Sequence, residues 1–189
     1  MALLDANFNY VNATFPTVNN EIRCVETYLS TLYIGGMFTT VNGVAQQGLA
    51  RLSVTAPAVA TDPYVIAHVP AFQLMNSCPT FYHVADMDLN GTEVVVAGGF
   101  YDGGRNGILA FNVNTGALNS KFGGDYGLQS YYDQYYPNPL FSVDKLNSNY
   151  VLVGPSMTNG LYEDYPPSSG TELMLFNNSG VQLTGNTLP

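Results

Sequence analysis

Three stretches of this chain carry one signature, a run of aliphatic and β-branched residues that ends in glycine. The first is Leu32-Tyr33-Ile34-Gly35-Gly36-Met37-Phe38, the second Val94-Val95-Val96-Ala97-Gly98-Gly99-Phe100, the third Tyr150-Val151-Leu152-Val153-Gly154-Pro155. Gly35 and Gly98 stand 63 residues apart, and Gly98 and Gly154 stand 56 apart. A period of that size marks a repeat architecture, in which each supersecondary unit buries its apolar face against the next. The runs do not alternate apolar with polar, so each reads as a strand buried on both faces of its sheet. Gly35, Gly36, Gly98, Gly99 and Gly154 are read as structural glycines.

Other stretches recur around these runs. Leu49-Ala50-Arg51-Leu52, Ile108-Leu109-Ala110-Phe111 and Leu173-Met174-Leu175-Phe176 follow them. Leu4-Asp5-Ala6-Asn7-Phe8 matches Leu118-Asn119-Ser120-Lys121-Phe122, and Val69-Pro70-Ala71-Phe72 fills the slot between. Alternating strands over about 21–29, 82–89 and 140–146 precede them. In the second of these, Ala85, Met87 and Leu89 share one face, and Val84, Asp86 and Asp88 the other. Asn90-Gly91 then reads as a hairpin turn. No sustained 3.6-residue pattern and no helix-capping box appears. The expected fold is all-β: a β-propeller-like array of three four-stranded antiparallel blades in one domain, residues 1–189. Blade 1 covers about 1–60, blade 2 about 61–117 and blade 3 about 118–180, with 181–189 as a tail or closing strand.

The segment Leu32-Tyr33-Ile34-Gly35-Gly36-Met37-Phe38-Thr39-Thr40-Val41-Asn42-Gly43-Val44, with Gly48-Leu49-Ala50-Arg51-Leu52 after it, resembles the delta-60 repeat. That is a propeller-like repeat of large bacterial surface proteins and some bacteriophage virion proteins. The second unit keeps Gly-Gly-Phe and Gly107-Ile108-Leu109-Ala110-Phe111; the third places Pro155 where the second glycine stands. The resemblance implies a fold and no reaction, because the repeat carries no shared catalytic residues. Propellers have four to eight blades, and three cannot close a ring. Open edges and apolar faces call for other chains to complete the array. Two copies exchanging strands, a longer polypeptide and a wedge on another protein all satisfy this. The competing fold is a compact β-sandwich or irregular barrel.

Charge narrows the partners. The chain has a formal net charge of −9, with Arg23, Arg51, Arg105, Lys121 and Lys145 its whole cationic complement. Phosphate backbones need clustered cations, so nucleic acid is excluded as a partner, as is an anionic membrane surface. No apolar run reaches the length of a membrane span. The N-terminal Met-Ala-Leu-Leu-Asp-Ala-Asn-Phe lacks the basic and apolar regions of an export signal. Cys24 and Cys78 are read as buried free thiols, with a single bridge between them as the alternative.

Chemistry-bearing groups are sparse. Cys78, His68 and His83 do not make a zinc set, and Gly154-Pro155-Ser156-Met157 is not a nucleophile elbow. Asp86 and Asp88, tested as a glycosidase pair, fit a solvated strand face better. Tyr101-Asp102-Gly103-Gly104-Arg105-Asn106 is too sparse for calcium. No cofactor or metal is expected, and the chain is not expected to be an enzyme. The long loops Gly123–Pro139 and Ser156–Thr171 fall on one face and hold Tyr126, Tyr131, Tyr132, Tyr135, Tyr136, Tyr162 and Tyr165. Tyrosine offers rigid amphipathic contact area, so these are the candidates for binding a protein or a glycan. The expected role is a non-catalytic structural or attachment protein of a tailed-phage particle, oligomeric or bound to virion proteins. The alternative is a segment of a bacterial surface or secreted propeller that binds or hydrolyses polysaccharide.

Overall fold

The computed structural model describes residues 3–59, 61–69, 80–102, 105–119, 142–147, 150–153, 174–181 and 183. The strands in chain order are β1 (Leu3–Leu4), β2 (Tyr10–Val11), β3 (Ala13–Thr14), β4 (Ile22–Tyr28), β5 (Thr31–Gly36), β6 (Thr40–Val41), β7 (Val44–Ala45) and β8 (Leu49–Thr55). They continue as β9 (Tyr64–His68), β10 (Thr80–Asn90), β11 (Glu93–Asp102), β12 (Arg105–Asn112), β13 (Leu118–Asn119), β14 (Val143–Asn147), β15 (Tyr150–Val153) and β16 (Met174–Asn177). No helix occurs among the described residues.

The protein is all-β and consists of several antiparallel sheets. Sheet one has the order β3-β9-β8-β5-β4, sheet two β10-β11-β12-β13 and sheet three β14-β15-β16; β1-β2 and β6-β7 are separate hairpins. The only parallel pair among the described strands joins β3 to β9. Among the described strands, no sheet closes on itself. In sheet one the fourth meander strand is β9, just ahead of the expected Val69–Phe72 slot; in sheet two it is β13, where it was expected. Leu4–Phe8 does not supply such a strand, because Asp5–Asn9 forms the turn of the β1–β2 hairpin.

The glycine-ending runs form β5 and β11, and both are buried on both faces: Tyr33 to Gly36 and Val94 to Gly98 all lie in the interior. Tyr33 and Leu49 of sheet one pack with Val84, Met87, Val94, Val96, Leu109, Phe111 and Val113 of sheet two. Hydrogen bonds cross the same contact. Tyr33 Oη donates to Val113 O (2.8 Å), and Arg51 Nη1 donates to Asn114 O (3.2 Å). On the other face of sheet two, Val95, Ala97, Ile108 and Ala110 are also buried, with β10 and β11 packed on β14.

Val84 and Met87 meet in one core although a regular strand would point them apart. The register of β10 slips by one between Val84 and Asp86, so Ala85 is an extra, bulged residue that resets the alternation. Sheet one has the same slip between Ile22 and Cys24, at Arg23. Beyond each bulge a glycine pairs with the first strand, Gly36 with Ile22 and Gly98 with Val84. The structurally equivalent glycines are therefore Gly36 and Gly98, 62 residues apart, rather than Gly35 and Gly98.

The outer face of sheet one is not left open for another chain. Ile34, Phe38, Val41, Ala50, Leu52 and Ile66 are covered there by Ala13, Phe15, Val18 and Ile22. Asn19 Oδ1 accepts Thr39 N and Thr40 N at 2.9 Å each, which ties the covering segment to the β5–β8 connection. Asn42 Oδ1 accepts Thr17 N (2.8 Å), and Asn42 N donates to Thr17 O (2.8 Å). Asn42 and Gly43 both take positive φ, 51 and 73, which is the backbone a tight two-residue hairpin requires. This accounts for the Val-Asn-Gly segment noted in the sequence.

Two bulky residues hold left-handed backbone at hairpin tips: Phe8 (φ 63, 84% exposed) and Leu29 (φ 54, 90% exposed). Leu29 follows Tyr28 as Gly91 (φ 64) follows Asn90 in sheet two. A Cβ in this region costs about 1–2 kcal/mol. Glycine loses about 0.5–1 kcal/mol through unfolded-state entropy. Leu29→Gly is therefore expected to stabilise the chain by about 0.5–1 kcal/mol, read as a raised midpoint in urea unfolding.

Candidate functional site

The chemistry-bearing residues that the structure does bring together lie where β10 packs between β4 and β14. β10 packs against β4 on one side and β14 on the other. Asp86 and Asp88 project from β10 toward β14. Asp86 Oδ2 accepts Ser142 Oγ (3.0 Å) and Val143 N (3.1 Å), and Asp88 Oδ2 accepts Lys145 N. Their second oxygens accept Met87 N (2.9 Å) and Leu89 N (2.7 Å). Alternate residues of a strand send their N–H groups to the same edge, so carboxylates two apart on β10 match amides two apart on β14. The expectation of a solvated face fails here. Both aspartates are half-buried and accept amides from the edge of β14 that faces away from β15.

Cys24 and Glu26 hold the corresponding two places on β4, opposite Gly35 and Tyr33 where Asp86 and Asp88 face Ala97 and Val95. Burial, and then the charge of Asp86, push the Cys24 thiol up to about 12. It stays protonated at neutral pH, which removes it as a nucleophile. Burial, Asp88 and Asp86 also raise the Glu26 carboxyl above its ordinary value. A raised carboxyl contributes stability while protonated, and that contribution is lost as pH rises through the folded-state value. Glu26→Gln is therefore expected to stabilise the protein at pH 7 by about 0.5 kcal/mol, solvent screening keeping the effect small. The gain should vanish as pH falls below the ordinary glutamate range, which paired thermal melts across that range will read.

Near the end of sheet one, His68 Nε2 lies 3.3 Å from Gln46 Oε1, and Gln46 Nε2 donates to Leu49 O (2.6 Å). Burial lowers the His68 pKa. This chain of bonds ties the β7–β8 connection to β9. Among the described residues no group of three or more His, Cys, Asp or Glu side chains is placed to hold a metal ion. No described helix is long and apolar enough to cross a membrane.

The tyrosines Tyr126, Tyr131, Tyr132, Tyr135, Tyr136, Tyr162 and Tyr165 lie outside the described residues, as do Cys78 and Gly154. Gly35, Gly36, Gly98 and Gly99 line β5 and β11. Sequence reasoning missed the joining role of Asp86 and Asp88. It also missed the turns that follow β12 and β16. Asn112 Oδ1 accepts Asn114 N (2.9 Å) and Thr115 N (3.0 Å), and Asn177 Oδ1 accepts Ser179 N (2.9 Å) and Val181 N (3.0 Å). The shared Phe-Asn followed by a downstream glycine was the available signal. No known family model, curated protein or solved structure matches this chain.

Proposed function

We propose that this chain is a non-catalytic structural or attachment protein of a viral particle of the tailed-phage kind. The observation that carries the reading is that Asp86, Asp88 and Cys24, which sit together at the β4–β10–β14 junction, are taken up by the fold. Asp86 and Asp88 accept the amides of β14, and the Cys24 thiol is held protonated by burial and by Asp86. The resemblance to the delta-60 repeat and a surface with few charges support a role in assembly over one in turnover. The three sheets act as blades of a propeller-like array that other chains complete. The packing of β10 against β4 and β14, each the opening strand of its sheet's meander, supports that geometry. Where such an array meets a host surface, Tyr131, Tyr132, Tyr135 and Tyr136 are the side chains to stack on glycan rings.

The deciding experiment is quantitative mass spectrometry of purified particles from a host that produces this chain, paired with antibody labelling of intact particles. Fixed stoichiometry and surface labelling are expected. A chain missing from particles and found on the producing cell's surface would overturn the reading. In glycan-array binding, replacing the four tyrosines with alanine should remove any glycan signal; an unchanged signal would clear them of that role.

A further inference from the structure

Neighbouring sheets in this chain stack through a fixed pair of faces. Val94, Val96, Leu109 and Phe111 of sheet two turn toward sheet one, while Val95, Ala97, Ile108 and Ala110 are buried on the other face. Gly36 holds the place of Gly98, so Leu32 and Ile34 hold the places of Val94 and Val96. Their partners agree: Leu52 and Ala50 pair with Leu32 and Ile34 as Phe111 and Leu109 pair with Val94 and Val96. Leu32, Ile34, Ala50 and Leu52 therefore form the face on which a preceding sheet would stack.

The chain itself occupies that face. Residues 13–22 leave from β3, which pairs with β9 at one side of sheet one, and arrive at β4, the edge strand at the other side. Between these points Phe15 and Val18 pack on the apolar face, and Val18 forms a bridge with Val41. Pro16 is buried, while Thr14, Thr17, Asn19, Asn20 and Glu21 are exposed. The segment thus has an apolar underside and a polar outside. Repeat arrays need end elements of that kind, because a terminal apolar face has no neighbouring unit to cover it.

We propose that residues 13–22 are an end cap, which takes the place of a preceding sheet and keeps a second copy of this chain from stacking on sheet one. This rests on the reading of the chain as an array that other chains complete, and narrows it. A ring closed through sheet one is excluded, and completion falls to the side of sheet three. The cap is tested on the purified chain, apart from any particle, so that either can fail without the other.

The exposed bonds that hold the cap offer the test. Asn19 Oδ1 accepts Thr39 N and Thr40 N, and Asn42 Oδ1 accepts Thr17 N. Asn42 has φ 51, a backbone glycine adopts freely, so Asn42→Gly removes the acceptor and keeps the hairpin. Asn19→Ala combined with Asn42→Gly should raise the population of the open cap roughly tenfold or more. Hydrogen exchange reads this at the amides of positions 19 and 42, whose acceptors Thr40 O and Thr17 O are unchanged. In sedimentation velocity over a concentration series, the variant should form larger species where wild type forms none. An excess of synthetic peptide of residues 12–22 should suppress them by covering the bared face. Phe15→Asp should act in the same way. Faster exchange with the sedimentation of wild type would overturn the proposal, as would association that the peptide leaves unchanged. A further variant decides the matter without loosening the fold. Val18→Cys with Val41→Cys, oxidised, bolts the cap to its bridge partner. It is expected to keep the wild-type association state at every concentration. A species lost on bolting would mean that partner chains displace the segment, and the cap would be ruled out.

Discussion

Gly36→Ala is expected to destabilise the protein by about 3–4 kcal/mol, a fall in Tm of roughly 10 °C for a chain of this size. Gly36 has an ordinary negative φ, so the demand is for space. A Cβ there would run into the backbone carbonyl of Glu21 and come within 2.9 Å of Ile22 Cα. Neither strand can give way cheaply. Gly36 N donates to Gly48 O (2.9 Å), and Met37 N donates to that same Glu21 carbonyl (2.9 Å). A shift large enough to admit the methyl breaks one of these bonds or moves the Arg23 bulge. Gly35→Ala should cost less, because its Cβ would meet side chains, Cys24 Sγ, Val84 Cγ1 and Met87 Cε, each at 2.6 Å. Met87 can swing away, whereas Val84 is stiff at χ1. Urea unfolding of both variants checks the order: Gly36→Ala below Gly35→Ala, and both below wild type. A Gly36→Ala variant as stable as wild type would mean that β4 and β5 do not approach as described.

These glycines show what the sequence made legible. The uninterrupted runs at Tyr33–Gly36 and Val94–Gly98 fixed both the strands and their two-sided burial, because only a covered sheet tolerates apolar residues on both faces. The third and fourth strands of sheet two followed from the recurrence of Ile108–Phe111 and Leu118. What stayed hidden was anything dependent on a one-residue offset. A bulge leaves no compositional mark, so strict alternation carries Val84 onto the face of Asp86 and Asp88 through Ala85, and residue type alone aligns Gly35 with Gly98. The Leu4–Phe8 segment matches a strand by residue type alone. Its Asp5 side chain instead bonds the local backbone, and that competition decides between turn and strand only when the loop closes in space. The covering of sheet one by Ala13–Ile22 was unreadable for the same reason. Asn19 and Asn42 act across 20 and 25 residues, a distance at which no local pattern speaks.

Asp86 and Asp88 set up the second large expected effect, and it separates joining from charge. Replacing both with alanine leaves Val143 N and Lys145 N without their acceptors at a half-buried junction. An unpaired buried donor costs about 1–3 kcal/mol, so the double alanine variant should lose about 3 kcal/mol. The loss should be local first. The amides of Val143 and Lys145 should exchange far faster, while those of Val95 and Leu109 in the interior of sheet two keep their protection until global unfolding. The double asparagine variant keeps a carbonyl oxygen at each place and gives up the charge. Charge-assisted bonds are roughly twice as strong as neutral ones, so about half of the contribution should survive. If the aspartates acted only through charge, the alanine and asparagine variants would behave alike. If they only occupied a solvated face, neither would change the exchange of β14. The graded result, alanine worse than asparagine and asparagine worse than wild type, is what a carboxylate standing in for a neighbouring strand must give.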